Sequence, residues 1–584
     1  MRSTFSGLNT MVRGVFANQL SLDTVGHNIT NASTEGYSRQ SVNQAATKAQ
    51  EVSSLYGGAL VGTGVDAMSI MRARNVYADK QFWAETSTHE YYKAEQVNYD
   101  KLEAIFDDSD NTGIKDAMDA FYKAWSALST DASAASTRVT VIEKGNIFVD
   151  KMSTAASQLQ DQINAQYNDM RVHLSTVNDI NDQIVELNKN ISGAEAVGAQ
   201  ANDLRDQRDL LVDKLSTYMN VNIYEDDKGM YTIVSNGISM VNGINKLTLE
   251  MSDPYVNTDY GINDYSIIIR ESGVAFIPQN GELKAEFDTI AEDKGYIDSL
   301  SDMAAFMMTT FNTMHQQGAG IDGTDENIGE YKNNDNYAGP TYGINFFGDN
   351  NTVYTWDADN HCVVATEYTN DSITRSLSTP TSKTDTPAVL ISGTVVSTGP
   401  VNLKGINILD AMRINSKLTE VGGTSLVAAR SLSVVEKIND TGAYEGTYEI
   451  KPNGSKDGTN AVNVSTLFNL ASDNITSTAT VSYSGTPVDM TNRAINDISL
   501  NAYYQSVMSQ LGTDANSTDV KESAQADLIT QIVNWRSSTS GVDWNEELTN
   551  MIMFQKGYSA CSRCLTTMDE MLDRLINSTG TVGR

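Results

Sequence analysis

The sequence predicts an α+β multidomain chain: helical N- and C-terminal segments forming a coiled coil, a long-helix bundle as a shoulder domain, and a β-rich outer insertion. Three observations predict it. Apolar residues recur three and four apart at both ends of the chain. A heptad-like run occupies residues 159–191, and near residue 220 the texture changes to short alternating runs broken by Gly and Asn. At 584 residues the chain is too long for one core, since single cores rarely exceed about 250–300 residues.

The first helix follows from Leu8, Val12, Val15, Leu22 and Ile29, with Gln19 and Gly26 in the intervening slots, Phe5 ahead of them, and Ser3 or Thr4 as N-cap. Gly7, Gly14 and Gly26 each weaken it by about 1 kcal/mol relative to Ala. The last helix repeats the pattern through Met551, Phe554, Tyr558, Cys561, Leu565, Met568, Leu572 and Leu575. Asp543 with Glu546 forms a capping box ahead of it, and Gly580 lies beyond its end. Between the ends, helices are expected over 90–128, with a break at 107–113, over 159–191, 201–218 and 284–316, and again from 496. Residues 320–490, rich in Thr, Ser, Asn, Gly and Val, read as short strands and loops. The expected division is 1–45 and 544–584 as coiled-coil assembly segments, 46–220 and 496–543 as helical shoulder, and 221–495 as β-rich outer insertion of one or two subdomains.

Charge is unevenly placed. The net charge is −33. Residues 1–40 carry three arginines against two carboxylates, and 544–584 carry four cations against five carboxylates, so the excess lies between them. Near-neutral ends can crowd against copies of themselves, whereas an acidic middle resists it, and nucleic acid or an anionic membrane is disfavoured as a partner. No run approaches the roughly 18 apolar residues of a spanning helix. The N-terminus does not resemble a cleaved secretory signal, and three cysteines make no disulfide framework, so composition alone suggests a cytosolic protein.

The apparent chemical motifs fail on context. Residues 62–67 match G-x-G-x-x-A without a strand–turn–helix unit, and are expected to form a tight turn leading into a helix. Residues 108–119 imitate a calcium loop but place Thr112 and a short Asp119 where better ligands are needed. Cys561 and Cys564 lie mid-helix and read as two small buried hydrophobes. The five histidines form no ligand pair. Catalytic, cofactor-binding and metal-binding residues are all expected to be none, and Asn28 and Asn31 are glycosylation sequons by pattern only.

The polar stretch "NITNASTEGYSRQ" (28–40) resembles the N-terminal signature of the bacterial flagellar axial proteins shared by rod, hook and hook-associated protein 1. The Ser-Arg after Gly36 and Tyr37 is most similar to the hook-associated protein 1 family, which joins hook to filament. Residues 61–81, 112–131, 202–216 and 540–563 are similar to the same family, with Gln555, Tyr558 and Arg563 in its places and Cys561 and Cys564 departing from it. The resemblance implies a non-enzymatic subunit, exported through the flagellar channel without a cleaved signal, which replaces the cytosolic expectation. It implies a ring of roughly a dozen copies, contacts with the hook protein and with the second junction protein (hook-associated protein 3), and an export chaperone on the C-terminal helix. The assembly interface is then expected at Leu8, Val12, Val15, Leu22, Asn28, Ile29, Asn31, Gly36, Tyr37 and Arg39, and at Met551, Phe554, Gln555, Tyr558, Leu565, Met568, Leu572 and Leu575. Tyr37 and Arg39 are expected to pack or pair against the next shell or subunit. Both ends are expected to order on assembly. A hook or distal-rod subunit shares the opening signature, but the chain length, Gly-Tyr-Ser-Arg and "SGVDWNEEL" speak against it. A secreted peptidoglycan hydrolase lacks a catalytic pair in the sequence, and an adhesive role of 320–490 stays open.

Overall fold

The computed structural model describes residues 6–54, 57–107, 112–196, 198, 200–321, 341–369, 372–469, 481–490, 493–495 and 498–578. The expected N-cap, Phe5, Gly580 and the start of the calcium-like stretch (108–111) lie outside the described residues.

The two ends of the chain form one antiparallel helix pair, α1 (Ser6–Asn31) and α12 (Trp544–Ser578). Its register is fixed by four close approaches: Gly7 to Met568, Gly14 to Cys561, Asn18 to Gly557 and Asn28 to Glu547. Each step forward in α1 is one step back in α12. After α1 the chain runs through β1 (Gln40–Ala46), β2 (Gln50–Ser54), β3 (Gly57–Val61) and β4 (Val65–Arg72). β1 pairs with β4 and β2 with β3, both antiparallel, with a bulge at Asn43/Gln44. The β1–β4 ribbon lies along α1, held by Gln44 to Ser21 at 2.9 Å and Arg13 to Asp66 at 2.6 Å. The glycine turn at 62–64 therefore leads into a strand, and the helix expected directly after it begins only at Val76. Asn75 makes that start by accepting from the amides of Tyr77 and Ala78.

The body is built from long helices. α2 (Val76–Ile105) packs along α11 (Leu500–Ser540), and α3 (Ile114–Thr130) packs on the 61-residue α4 (Ala135–Glu195). α5 (Asn202–Tyr218) and α6 (Glu282–Phe306) complete the bundle, and α6 continues through a π-turn (Met307–Phe311) into α7 (Asn312–Gln316). The apolar run of α4 is buried at nearly every expected position. At one step Asn188 replaces Leu187: it is fully buried and hydrogen-bonded to Tyr231, Gly243 and Arg208, whereas Leu187 is only half-buried. Phe121, Trp125, Phe148, Phe311, Phe346 and Phe347 form an aromatic centre where α3, α4, the π-turn and the outer segment meet.

From residue 222 the chain forms an antiparallel meander, β5 (Asn222–Glu225), β6 (Tyr231–Ser235), β7 (Ile238–Asn242) and β8 (Asn245–Lys246), in sequential order. Further out lie three- and four-stranded sheets, with a second small core of Val353, Tyr368, Val389, Ile391 and Val481. The strand in "AVLISGTVV" is Val389–Ser392. The outer segment also contains α8 (Ile406–Ala411), α9 (Ser416–Thr419) and α10 (Thr459–Thr466), which its Thr/Ser-rich composition did not announce.

Candidate assembly interface

α1 would be a poor helix alone, and its side-chain arrangement shows what it is shaped for. One residue of helix turns about 100°, so the stripe Gly7–Gly14–Asn18–Asn28 lies beside the apolar stripe Leu8–Val12–Val15–Leu22–Ile29. The small stripe makes the close approaches to α12, because glycine lets the backbones near each other; a Cβ on Gly14 would sit 3.0 Å from Cys561 Sγ. The apolar stripe is left half-buried beside it. Of the α12 residues expected at the interface, Met551, Phe554, Leu565, Met568 and Leu572 are half-buried, whereas Gln555, Tyr558 and Leu575 are exposed. Glu547 is the one buried side chain of α12 among the described residues. Cys561 is half-buried and Cys564 exposed, correcting their reading as buried hydrophobes. Leu548, Ile552, Met553, Met571 and Ile576 are also exposed, so α12 carries apolar side chains on both flanks of its seam.

At the body end of the pair, the polar signature closes into a latch. Asn28, 1% exposed, donates from Nδ2 to the carbonyl of Gln40 (2.8 Å) and to Glu547 Oε2 (3.0 Å). Its Oδ1 accepts from the Gln40 amide (2.9 Å) and the Tyr37 hydroxyl (2.8 Å), and His27 Nδ1 lies 3.0 Å from the same hydroxyl. Burial, then the charge of Asp203, raises the Tyr37 pKa. Arg39 completes the latch. Its Nε donates to Glu547 Oε1 at 2.9 Å, its Nη2 to Glu546 Oε1 at 2.6 Å, and its amide to the Ser540 carbonyl at 2.8 Å. Within the chain Arg39 thus ties the N-terminal segment to the start of α12, while Tyr37 ties the loop back onto α1. Glu546 is drawn to Arg39, so only half of the expected capping box forms: Asp543 caps α12 by accepting from the amides of Asn545 and Glu546.

The loop between α1 and β1 can reach this position because Gly36 has φ +77°, and a Cβ there would meet Leu210 of α5 at 3.1 Å. Asn31 Nδ2 bonds the His27 carbonyl while its own carbonyl accepts from Thr34, ending the helix.

Below the latch, four carboxylates on α5, Asp203, Asp206, Asp209 and Asp213, recur at helical spacing and receive donors from the ribbon and from α11. Gln40 reaches Asp203 at 2.7 Å, and the Ser38 amide reaches Asp206 at 2.8 Å. Arg72 bonds Asp206 and Asp209 at 2.8 and 2.7 Å, and Arg536 bonds Asp213 and Asp79 at 2.9 Å each. Burial raises the Asp206 pKa despite Arg72, whereas at Asp209 the burial effect is outweighed by Arg74 and Arg72 and the pKa falls. Sequence reasoning singled out "NDLRDQRDLLVDKLS" without its purpose. The three- and four-residue spacing of its acids, against paired arginines at 72 and 74, was the signal. Among the described residues, no group of three or more His, Cys, Asp or Glu side chains is arranged to hold a metal.

Paired chain ends with open apolar faces, latched to a long-helix body that carries β sheets farther out, define a self-assembling axial subunit. Along nearly its whole length the chain is similar to flagellar hook-associated protein 1. The model of the flagellar hook-associated protein FlgK helical domain matches residues 99–329, and that of the flagellar basal body rod FlgEFG protein C-terminal matches 536–578. Flagellar hook-associated protein 1 of Bacillus subtilis is 25% identical over 624 aligned positions spanning all of both chains. The protein of that name from Escherichia coli is 24% identical, covering 98% of this chain and 99% of its own. In fold, the chain resembles the flagellar hook junction protein FlgK from Burkholderia pseudomallei, with a TM-score of 0.53 and 16% identity over 79% of this chain and all of that one.

Proposed function

We propose that the chain is a structural subunit of the flagellar hook–filament junction that assembles with copies of itself through its terminal helices. The observation that carries this is the latch: the two stretches most similar to the family, 28–40 and 540–563, meet at Asn28, Arg39, Glu546 and Glu547. Tied there, the helix pair points its remaining apolar surface outward, at Leu548, Ile552, Met571, Leu575 and Ile576, where neighbouring copies would cover it. We read 1–45 with 544–584 as the assembly segments, 46–220 with 496–543 as the shoulder, and 221–495 as the outer insertion. In this reading the subunit is exported to the flagellum with a chaperone on α12. It closes a ring of roughly a dozen copies between the hook protein and hook-associated protein 3. It acts by contact and carries out no catalysis. Full-length likeness to flagellar hook-associated protein 1 favours the junction over a rod or hook position.

Gene deletion with electron microscopy of the cells and assay of flagellin in the medium tests this. Bare hooks with flagellin released are expected. Missing hooks would assign the chain to rod or hook, and normal filaments would overturn the proposal.

A further inference from the structure

α2, α4 and α6 meet along a seam whose polar atoms do not balance. Asp293 of α6 has no exposed surface, and its oxygens accept from Asn98 Nδ2 at 3.0 Å and Gln162 Nε2 at 2.9 Å. Asn98 Oδ1 in turn accepts from Gln162 and Gln166, both at 2.7 Å. Earlier along α6, Glu286 Oε1 lies 2.7 Å from His173 Nδ1, and Glu292 Oε1 accepts from the Tyr99 hydroxyl at 3.0 Å. Their second oxygens, Glu286 Oε2 and Glu292 Oε2, are buried without a partner, as is Gln166 Oε1. All three are acceptors. Within 90–101, 162–173 and 282–293 no buried side-chain donor lacks a partner among the described residues.

Counter-charge from lysine and arginine is missing as well. Among the described residues, neither Lys nor Arg forms an ion pair with Glu95, Glu286, Glu292 or Asp293. The cations nearby are engaged or distant: Lys93 of α2 pairs with Glu90, and Lys284 of α6 pairs with Asp288. Lys101 of α2 acts on Asp293 only through its field. From α4, Asp169 adds negative charge beside His173 and Glu282. From α11, Asp514 faces Glu292, while Lys521 sits over the Tyr92 ring and tempers Glu95. A cleft of about 170 Å³, lined by Glu90, Asp169, His173 and Glu282 among others, opens the seam to solvent.

Buried carboxylates with surplus acceptors and no lysine or arginine partner are most economically satisfied by hydrogen ions, each supplying both the missing donor and the missing charge. We propose that this seam is a proton-binding site: mild acid protonates its carboxyls and stabilises the helical body. Burial pushes Glu286 and Glu292 up to about 7, and Asp293 up to about 6. Burial alone would lower His173, but Glu286 outweighs it and raises it. These folded-state values lie above the ordinary ones, so the folded chain holds protons that the unfolded chain releases. The resulting stability is fully present below about 4.5 and is lost as pH rises through about 7.

The test compares thermal unfolding of the full chain at about pH 7.5 and about pH 5.5 with the double variant Glu286→Gln/Glu292→Gln, whose amides mimic protonated acids. The wild-type midpoint should rise on acidification. The double variant should lose at least about half of that rise and start higher at the upper pH, whereas Glu186→Gln, at an exposed position of α4, should keep it. A double variant that retains the full rise overturns the proposal, because relief of general charge repulsion would then suffice. If that variant does not fold, potentiometric titration of native against urea-unfolded wild type decides. Excess proton uptake by the native chain between about pH 5 and 7 supports the site, and equal uptake overturns it.

Discussion

Replacing Asn28 by alanine should release the helix pair from the body while the body stays folded. The change removes two donations, to Gln40 and Glu547, and two acceptances, from Gln40 and Tyr37. Net hydrogen bonds contribute about 1 kcal/mol each, and those to a charged group about 1.5–3, so the local loss is about 5 kcal/mol. That corresponds to an increase of roughly a few thousandfold in local opening. Amide exchange at Gln40 and over residues 544–552 reads it directly, since the Gln40 amide itself donates to Asn28. Exchange within α4 should not change. Asn28→Asp should be worse than Asn28→Ala, because it sets a second carboxylate where Glu547 now finds a donor at 3.0 Å. An acceleration below about tenfold, or an aspartate tolerated better than alanine, would refute the latch as the anchor of the ends.

Tyr37→Ala should shorten or abolish filaments in motility and microscopy assays without lowering the melting of the body, since its contacts are confined to the latch. Leu565→Asp places a charge in the half-buried seam of α12 and should prevent incorporation into junctions, costing about 2 kcal/mol or more per subunit. Asp209→Asn leaves Arg72 and Arg74 short of a buried partner and should destabilise the body by about 3–5 kcal/mol in thermal unfolding. Because the Asp209 pKa is lowered in the fold, its contribution in wild type should be present above 3.8 and fade as pH falls through and below that value, opposite in sign to the α2–α4–α6 seam.

Periodicity made the long helices legible. The α4 stripe and the α12 seam were readable because a buried helix face must repeat every three or four residues. The exceptions are instructive. Asn188 occupies a core position because it completes hydrogen bonds for Tyr231 and Gly243, and apolar periodicity cannot register a polar residue that is fully satisfied. The β1–β4 ribbon was missed because its outer face carries Met68 and Met71 and its pairing spans a long intervening hairpin. The latch was half legible. Asn28, Tyr37 and Arg39 carry the signature, but Glu546 and Glu547, which Asn28 and Arg39 bond, lie some five hundred residues away. Pairing between distant polar residues leaves no local pattern.

The contact face of α1 is where sequence and structure differ most usefully, and one chemical experiment separates them. The apolar stripe points to Val15 as a seam residue, whereas the observed register places Gly14 against Cys561. A Cβ on Gly14 would lie 3.9 Å from Cys561 Cβ and 3.0 Å from its Sγ, within the range a disulfide requires. With Cys362 and Cys564 replaced by serine, Gly14→Cys should therefore oxidise readily to a bond joining the two ends of one chain. Val15→Cys, about 100° round the helix, should react far more slowly. Non-reducing electrophoresis of the monomer distinguishes an internal crosslink, which migrates faster, from a dimer. If Val15→Cys crosslinks and Gly14→Cys does not, the apolar stripe is the true seam. The glycines of α1 would then be weaknesses without a packing role. If Gly14→Cys closes the bond in the monomer, the pair is already formed before assembly, and the expectation that both ends order only among neighbours fails with the same measurement.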